Sequence, residues 1–178
     1  MEIKRIFAPS LFAIRFEENE FDEYKLAIKQ WSDVEHLKTF YETNKDFIKE
    51  NPYFPEDDTI GFINFVTENS RVFDDEMLEA AENSDLSRYF EYLTRTKNYR
   101  EILPYKKSKK FVLRLYGIQL EEIIIITGSA IKLTDEMDKH PETAEQLNKL
   151  AKVQDHLLSN SIFDEDSFFG YLEENNYD

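Results

Sequence analysis

Apolar and polar positions alternate with two different periods along this chain. Residues 1–16 hold two short apolar runs, Ile3 to Ala8 and Leu11 to Ile14 with Phe16, which Pro9 and Ser10 separate. Successive side chains of the second run fall on opposite faces, as they do in a β-strand. This pattern predicts one bent strand or two short strands at the start of the chain.

Residues 21–94 change to a helical period. Apolar residues recur at steps of three and four from Val34 through Leu37 to Ile48, and Asn51 and Pro52 follow. They predict a helix that ends at Asn51, with a shorter helix before it over residues 21–31. Further helices are expected to begin at Thr59, at Asp74, and at Ser84 or Asp85. We therefore expect a block of helices, of which residues 55–94 form an insertion before the central strands.

Two β-forming runs follow, over residues 111–120 and 123–133, with Glu121 and Glu122 between them. They predict a hairpin at the centre of an antiparallel sheet. After it, an apolar stripe from Ala144 to Leu157 predicts a helix on the sheet, with Lys149 and Lys152 on its outer side. The fold class is thus α+β: a small antiparallel sheet with an inserted helical block and a C-terminal helix packed on the sheet.

Neither an internal repeat nor a Gly/Ser-rich linker divides the chain. Residues 1–160 are therefore expected to form a single α+β domain, followed by an acidic aromatic tail over residues 161–178. The apolar spacing of this tail suits a short helix, docked on its own body, which we favour, or on a partner. The residues expected in the core are Ile14, Phe16, Trp31, Leu37, Phe40, Phe62, Leu113, Leu115, Ile124, Ile126, Leu147 and Leu150.

Composition indicates a folded protein, because 41% of its 178 residues are hydrophobic and 15% are aromatic. No apolar run approaches the length of a membrane span, and residues 1–16 do not resemble a signal peptide. A cytoplasmic protein without a membrane partner is the expectation. The absence of cysteine excludes disulfides and thiolate chemistry.

The net charge of −15 is unevenly distributed. Eight basic residues and one acid lie between Arg95 and Arg114, whereas the rest of the chain carries 14 basic and 36 acidic residues. Nucleic-acid binding depends on neutralising phosphates with Lys and Arg. A polyanion would therefore meet one basic strip on an otherwise acidic protein.

The common catalytic signatures are absent. The sequence contains neither of the glycine-rich nucleotide-binding patterns, nor H-E-x-x-H, nor G-x-S-x-G. His36, His140 and His156 lie in separate segments, and none has a companion at metal-ligand spacing. We expect neither a metal nor a cofactor.

The candidate chemistry lies in the basic strip. Strand alternation places Arg114 and Tyr116 on one face and Leu113 and Leu115 on the other. In a functional interpretation, Arg114 neutralises a phosphate and Tyr116 stacks on a base or transfers a proton. In a structural interpretation, which we rank slightly higher, Arg114 pairs with a carboxylate and Tyr116 fills space beneath a helix. The functional interpretation also assigns RNA-backbone binding to four lysines, Lys106, Lys107, Lys109 and Lys110.

The order of features from Phe111 onward resembles the C-terminal part of the RelE/ParE-type toxins of bacterial toxin–antitoxin pairs. In that family an arginine-bearing strand is followed by a tight hairpin and an Ile/Val-rich strand. Small residues come next, then a K-x-T pattern, and then a Lys-rich helix whose start contains proline. The corresponding residues here are Arg114, the run Ile123 to Ile126, Gly128, Ala130, Lys132, Thr134, Pro141, Lys149 and Lys152.

This resemblance implies a small curved antiparallel sheet on which two helices of the N-terminal half pack. It implies an endoribonuclease that cleaves mRNA on the ribosome, with an antitoxin protein as partner. Arg114 and Lys132 take catalytic roles by this resemblance, and Tyr116 joins them by strand alternation. ParE-like members show that the fold does not guarantee nuclease activity.

A function of another class competes with the toxin. The chain is then a non-catalytic acidic interaction module, either a protein-binding adaptor or a nucleic-acid mimic. A salt-bridged Arg114 and carboxylates regularly spaced along one exposed surface favour the module. A groove free of acids in which Arg114, Lys132 and the lysines converge favours the toxin.

Overall fold

A computed structural model of the chain describes residues 1–54, 58–93, 103, 105–108, 112–133 and 141–175, with backbone only for residues 141–143. The α+β class is confirmed, and so is the helix packed on the sheet. The strands are β1 (Glu2–Phe7), β2 (Leu11–Arg15), β3 (Phe90–Tyr92), β4 (Tyr105–Ser108), β5 (Leu113–Leu120) and β6 (Ile123–Ile131). The helices are α1 (Glu23–Ser32), α2 (Val34–Glu50), α3 (Thr59–Glu82), α4 (Pro141–Ser159) and α5 (Glu165–Glu174), and a 3₁₀ turn spans Leu86–Tyr89.

The six strands form one sheet in the order β1-β2-β6-β5-β4-β3. The two N-terminal runs form an antiparallel hairpin, so the alternative of two short strands is correct. β2 pairs with β6 in parallel over three residue pairs, from Leu11 opposite Ile124 to Ala13 opposite Ile126. The sheet is therefore mixed and not wholly antiparallel as predicted, because the other strand pairs are antiparallel. A parallel pair needs a long crossover connection, and the chain between β2 and β6, which includes α1, α2 and α3, provides one.

One face of the sheet, here called the helical-block face, is covered by α1, α2 and α3. Its core combines strand residues such as Leu115 and Ile126 with Trp31, Phe40 and Phe62 from the three helices. The other face, called the C-terminal face, is covered by α4 and α5, with Leu150, Val153 and Phe168 among its buried residues. Of the expected core residues, Leu147 is half-buried and all the others are buried.

The insertion differs from the prediction in its details. A single helix of 24 residues, α3, replaces the two helices expected to begin at Thr59 and Asp74. The Asp74 carboxylate accepts a hydrogen bond from the Tyr24 hydroxyl at 2.7 Å instead of capping a new helix. The expected helix near Leu86 is a single 3₁₀ turn that leads into β3, because Phe90 pairs opposite Ser108 in the sheet.

A β-bulge at Thr127 interrupts the regular alternation of β6. Tyr116 lies opposite Gly128 and Gly117 lies opposite Ile126, so Thr127 is the extra residue. The bulge reverses which positions face which side: Ile124 and Ile126 face the helical block, whereas Gly128 and Ala130 share the C-terminal face with Tyr116 and Arg114. Gly128 also lets α4 approach closely, because a Cβ there would collide with the Gln146 side chain.

The acidic tail docks on its own body. α5 carries a capping box in which the Asp164 side chain accepts from the Ser167 amide at 2.8 Å. The Phe168 ring is fully buried and packs edge-to-face on Phe12, with ring centroids 4.8 Å apart. Glu165 also accepts a hydrogen bond from the Glu122 amide at the β5–β6 turn. The tail is thus part of the folded core.

The helices of the described residues were compared with the length and hydropathy that a bilayer span requires. None of them meets both requirements.

Candidate functional site

Arg114 and Tyr116 lie on the C-terminal face of β5, opposite Leu113 and Leu115, as strand alternation predicts. Tyr116 is only 2% exposed, and burial raises its pKa to about 12. Its hydroxyl therefore stays protonated at neutral pH, and its ring cannot stack on a base without leaving the core. Arg114 is half-buried, and its guanidinium donates to the Leu113 carbonyl at 3.1 Å.

The pleat of β4 divides the predicted lysine strip between the two faces of the sheet. Lys107 lies on the same face as Arg114, and its Nζ is 3.4 Å from the Glu91 carboxylate on β3. Lys106 is buried on the opposite face, with its Nζ 3.5 Å from the centroid of the Tyr92 ring. The remaining two lysines, Lys109 and Lys110, lie outside the described residues.

Lys132 extends from the end of β6 toward Tyr53, and its Nζ lies 5.2 Å from the ring centroid, within cation–π range. Arg114 also interacts electrostatically with Tyr53. Burial lowers the pKa of Arg114, and the neighbouring Tyr116, Glu91 and Tyr53 partly oppose this effect. Lys132 thus contacts Tyr53, and Arg114 lies nearby on the adjacent strand: Arg114 is opposite Ala130, and the Lys132 amide donates to the Val112 carbonyl at 2.7 Å. We call Arg114, Lys132 and Tyr53 the Tyr53 site.

Local structure holds the Tyr53 ring outward. The neighbouring Phe54 is buried, with its ring 5.4 Å from Phe62, whereas Tyr53 is 58% exposed. Asn51 joins this loop to the end of β6: its side-chain oxygen accepts from the Tyr53 amide at 2.9 Å, and its Nδ2 donates to the Leu133 carbonyl at 3.2 Å. An exposed ring held by a buried neighbour and an amide bridge is preorganised for contact with a ligand.

A cleft of about 360 Å³ lies beside Tyr53. Phe47, 44% exposed, contributes a second aromatic ring to its wall, and Lys132 contributes a cation. Among the described residues that line the cleft, Glu50 is the one acid. Aromatic faces beside cations suit a group that is both planar and anionic, such as a nucleotide with its phosphate.

A second cavity, of about 190 Å³, lies where α1, α2, α4 and β6 meet. Its deepest charged group is Glu23, which is 2% exposed and accepts a hydrogen bond from Lys149 Nζ at 2.9 Å. Lys149 was predicted on the outer side of α4. It instead reaches inward to this pair, because α1 packs close enough to bring a carboxylate within its reach.

Burial raises the pKa of Glu23 above its usual range even though Lys149 lies beside it. Folding therefore favours protonated Glu23, and its contribution to stability is present at low pH and is lost as the pH rises through the folded-state pKa. We expect Glu23→Gln to unfold with a free energy equal to or above that of wild type at pH 7. Near pH 4 this relative advantage is expected to vanish.

Denaturant unfolding of both proteins between pH 4 and pH 7 measures this difference. Asp75→Asn, an exposed change on α3, controls for the loss of one negative charge. A Glu23→Gln protein that loses more stability at pH 7 than at pH 4 would show that attraction to Lys149 outweighs the burial of the carboxylate.

Sequence reasoning missed both Tyr53 and Glu23. Tyr53 stands between a helix-ending Asn-Pro pair and an apolar residue, and this local signal indicates an ordered loop. Glu23 carries no local signal, because an acid in the first turn of a helix is ordinary. Among the described residues, no group of three His, Cys, Asp or Glu side chains is placed to hold a metal ion.

The chain was compared with family models, with curated proteins and with solved structures, and nothing matched in any of the three comparisons.

Proposed function

We propose that the chain is a RelE-like toxin that binds single-stranded RNA at the Tyr53 site and cleaves mRNA on the ribosome. The observation that carries the proposal is the contact of Lys132 with the exposed ring of Tyr53, with Arg114 on the adjacent strand. The described residues do not form the acid-free groove that the toxin was expected to have, because Glu50 lines the cleft and Lys106 faces the other side of the sheet. The two cations come from strands that the family resemblance aligns with catalytic positions, and the tyrosine comes from an independent loop.

The chemistry of RNA cleavage assigns a role to each group. The 2′-oxygen attacks the adjacent phosphorus and forms a 2′,3′-cyclic phosphate while the bond from phosphorus to the 5′-oxygen breaks; water takes the 2′-hydroxyl proton and supplies a proton to the leaving 5′-oxygen. Negative charge gathers on the phosphate oxygens during this step, and the Lys132 ammonium and Arg114 guanidinium stabilise it. The Tyr53 ring stacks on a base, which holds the nucleotide in place. Tyr116, buried and protonated, packs next to Arg114 and helps to position its guanidinium.

Expression in bacteria tests the proposal. We expect induction of the wild-type chain to arrest growth and to cut translated mRNA at mappable positions. Arg114→Ala and Lys132→Ala are expected to lower the cleavage rate by about 100-fold each, because each removes a group that stabilises the transition state. Tyr53→Ala should weaken RNA binding by about 1–3 kcal/mol, the worth of one stacked base, whereas Tyr53→Phe should retain it.

Matched controls separate these effects from loss of folding. Arg88→Ala and Lys38→Ala remove exposed cations elsewhere, and we expect growth arrest to persist in both. All variants are compared at equal soluble levels. Arrest that survives both Arg114→Ala and Lys132→Ala would refute RNA chemistry at this site, and absence of arrest by the wild type would refute the toxin.

One observation favours the second candidate, a non-catalytic acidic module. Glu68, Asp75, Glu79 and Glu82 are all exposed and follow one another at helical spacing along α3. Such a stripe suits a basic partner protein or imitates a row of phosphates. Binding of a basic partner that is lost when these four are changed to Gln or Asn, in a chain that does not arrest growth, would favour this module.

A further inference from the structure

The cavity around Glu23 lies where two neighbouring strands part. β2 and β6 pair only as far as Ala13 and Ile126, and β6 then continues to Ile131. Helices α1 and α4 both contact β6, and residues 129–131 of this strand line the cavity. Clefts of this kind between packed elements are common places for small-molecule binding.

The charged groups of this cavity are unbalanced. Two carboxylates, Glu23 and Glu145, line it together with one ammonium group, that of Lys149. The Glu23 oxygens accept one hydrogen bond from Lys149 at 2.9 Å and one from Asn19 Nδ2 at 3.1 Å. Each carboxylate oxygen can accept a further hydrogen bond. The cavity therefore retains acceptor capacity, and its two carboxylates are accompanied by one ammonium group and the His36 imidazole.

Lys149 does not fully compensate the buried carboxylate. Burial raises the pKa of Glu23, and repulsion by Glu145 adds to that effect, while Lys149 and Asn19 oppose it without reversing it. A second cation placed between the two carboxylates would stabilise the charged form of Glu23 against its burial and would offset its repulsion by Glu145. The incompletely compensated carboxylate and the open space beside it thus both favour a bound cation.

The walls of the cavity suit a planar or compact cation. Trp31 and Phe40 supply aromatic surface, and Gln30 and Ser129 supply polar atoms. Guanidinium groups combine flat apolar faces with hydrogen-bond donors at their edges. A volume of about 190 Å³ is room for several waters or for such a group on a short aliphatic chain.

We propose that this cavity binds an organic cation, a guanidinium group on a short aliphatic chain, held between Glu23 and Glu145 with its carbon chain along Trp31. The group comes either from a free small molecule or from an arginine side chain of a partner protein. The proposal does not depend on RNA cleavage, because the Tyr53 site shares none of these residues.

The chain contains one tryptophan, Trp31, so its intrinsic fluorescence reports directly on the cavity. We expect agmatine, added to the full-length chain, to change this fluorescence saturably. N-acetyl-arginine-N-methylamide, which imitates an arginine within a protein, is titrated alongside it. N-butylguanidine, titrated as a third probe, lacks the terminal ammonium of agmatine. Binding of both agmatine and N-butylguanidine that is tighter than that of the arginine amide indicates a free small molecule, and tighter binding of the arginine amide indicates a partner's side chain.

Variants locate the binding. Glu145 is exposed, so Glu145→Gln should fold normally and weaken agmatine binding about 10-fold, the effect of losing one charged hydrogen bond. Glu23→Gln should weaken it at least as much. Glu173→Gln, an exposed change on α5, should leave it unaffected.

Three results would overturn the proposal. In the first, none of the probes produces a saturable change. In the second, N-butylurea, the uncharged isostere of N-butylguanidine, binds as well as N-butylguanidine. In the third, Glu145→Gln and Glu23→Gln both bind agmatine with wild-type affinity while circular dichroism shows them folded. Because fluorescence is read without RNA or growth, none of these results bears on the proposed toxin activity.

Discussion

Replacement of Phe62 by alanine is expected to lower the free energy of unfolding by about 3–5 kcal/mol. The Phe62 side chain is fully buried on α3. Its ring lies 6.0 Å from Phe40, 5.5 Å from Tyr41 and 5.4 Å from Phe54, so it joins α2, α3 and the loop after α2. Alanine would leave a cavity at the centre of this aromatic cluster, since rings from three segments cannot all move in to fill it.

Denaturant unfolding measures this loss, and Phe163→Ala is the matched control. Phe163 is 47% exposed, so the same chemical change there should alter stability by about 0.5 kcal/mol or less. A Phe62→Ala protein as stable as Phe163→Ala would contradict the packing described for the helical block. The variant also bears on function, because Phe54 packs on Phe62 and anchors the loop that presents Tyr53.

Gly117→Ala is expected to destabilise the protein by about 1–3 kcal/mol, the cost of inserting an atom into a closely packed region. A Cβ at Gly117 would lie 2.7 Å from the carbonyl oxygen of Ile125 on the neighbouring strand. This obstacle is main chain, held between β2 and β5, so it cannot rotate away as a side chain would. The strands would have to separate at the bulge.

The control for this change is Gly170→Ala, which makes the same substitution within α5. No heavy atom lies within 4 Å of a Cβ at Gly170, and alanine favours helices over glycine by about 1 kcal/mol. Gly170→Ala should therefore raise the thermal midpoint while Gly117→Ala lowers it. Equal changes of the same sign in the two variants would show that the contact with Ile125 does not decide the effect.

The candidate site was predicted in part. Arg114 could be selected because a strand alternates with period two, so the face of its side chain follows from local geometry. Lys132 was selected only by its match to the K-x-T of the RelE/ParE-type toxins. The four lysines were predicted to bind RNA as one strip. The same alternation instead directs Lys106 and Lys107 to opposite faces of the sheet. Tyr53 could not be selected, because its proximity to Lys132 depends on how the loop after α2 meets the end of β6.

The fold was predicted more completely than the candidate site. The continuous course of α3 and the bulge in β6 were not predicted. α2 ends at Glu50 and is followed by Asn51 and Pro52, as expected, because a proline restricts the residue before it and cannot continue a helix hydrogen bond. α3 runs through Asp74 because a capping residue permits a new helix without requiring one, and here Tyr24 provides another partner. The bulge at Thr127 was not predicted, although Gly128 beside it is the kind of residue that marks a bulge inside a strand.

The sequence by itself determined the α+β class, most helix and strand positions, and the burial of residues such as Leu113 and Ile126, because these depend on periods of two and 3.6 residues that act over short distances. Tertiary structure alone decided the parallel pairing of β2 with β6, the Glu23–Lys149 pair across 126 residues, and the contact of Lys132 with Tyr53. These features join distant segments, and local periodicity carries no information about which distant segments come together.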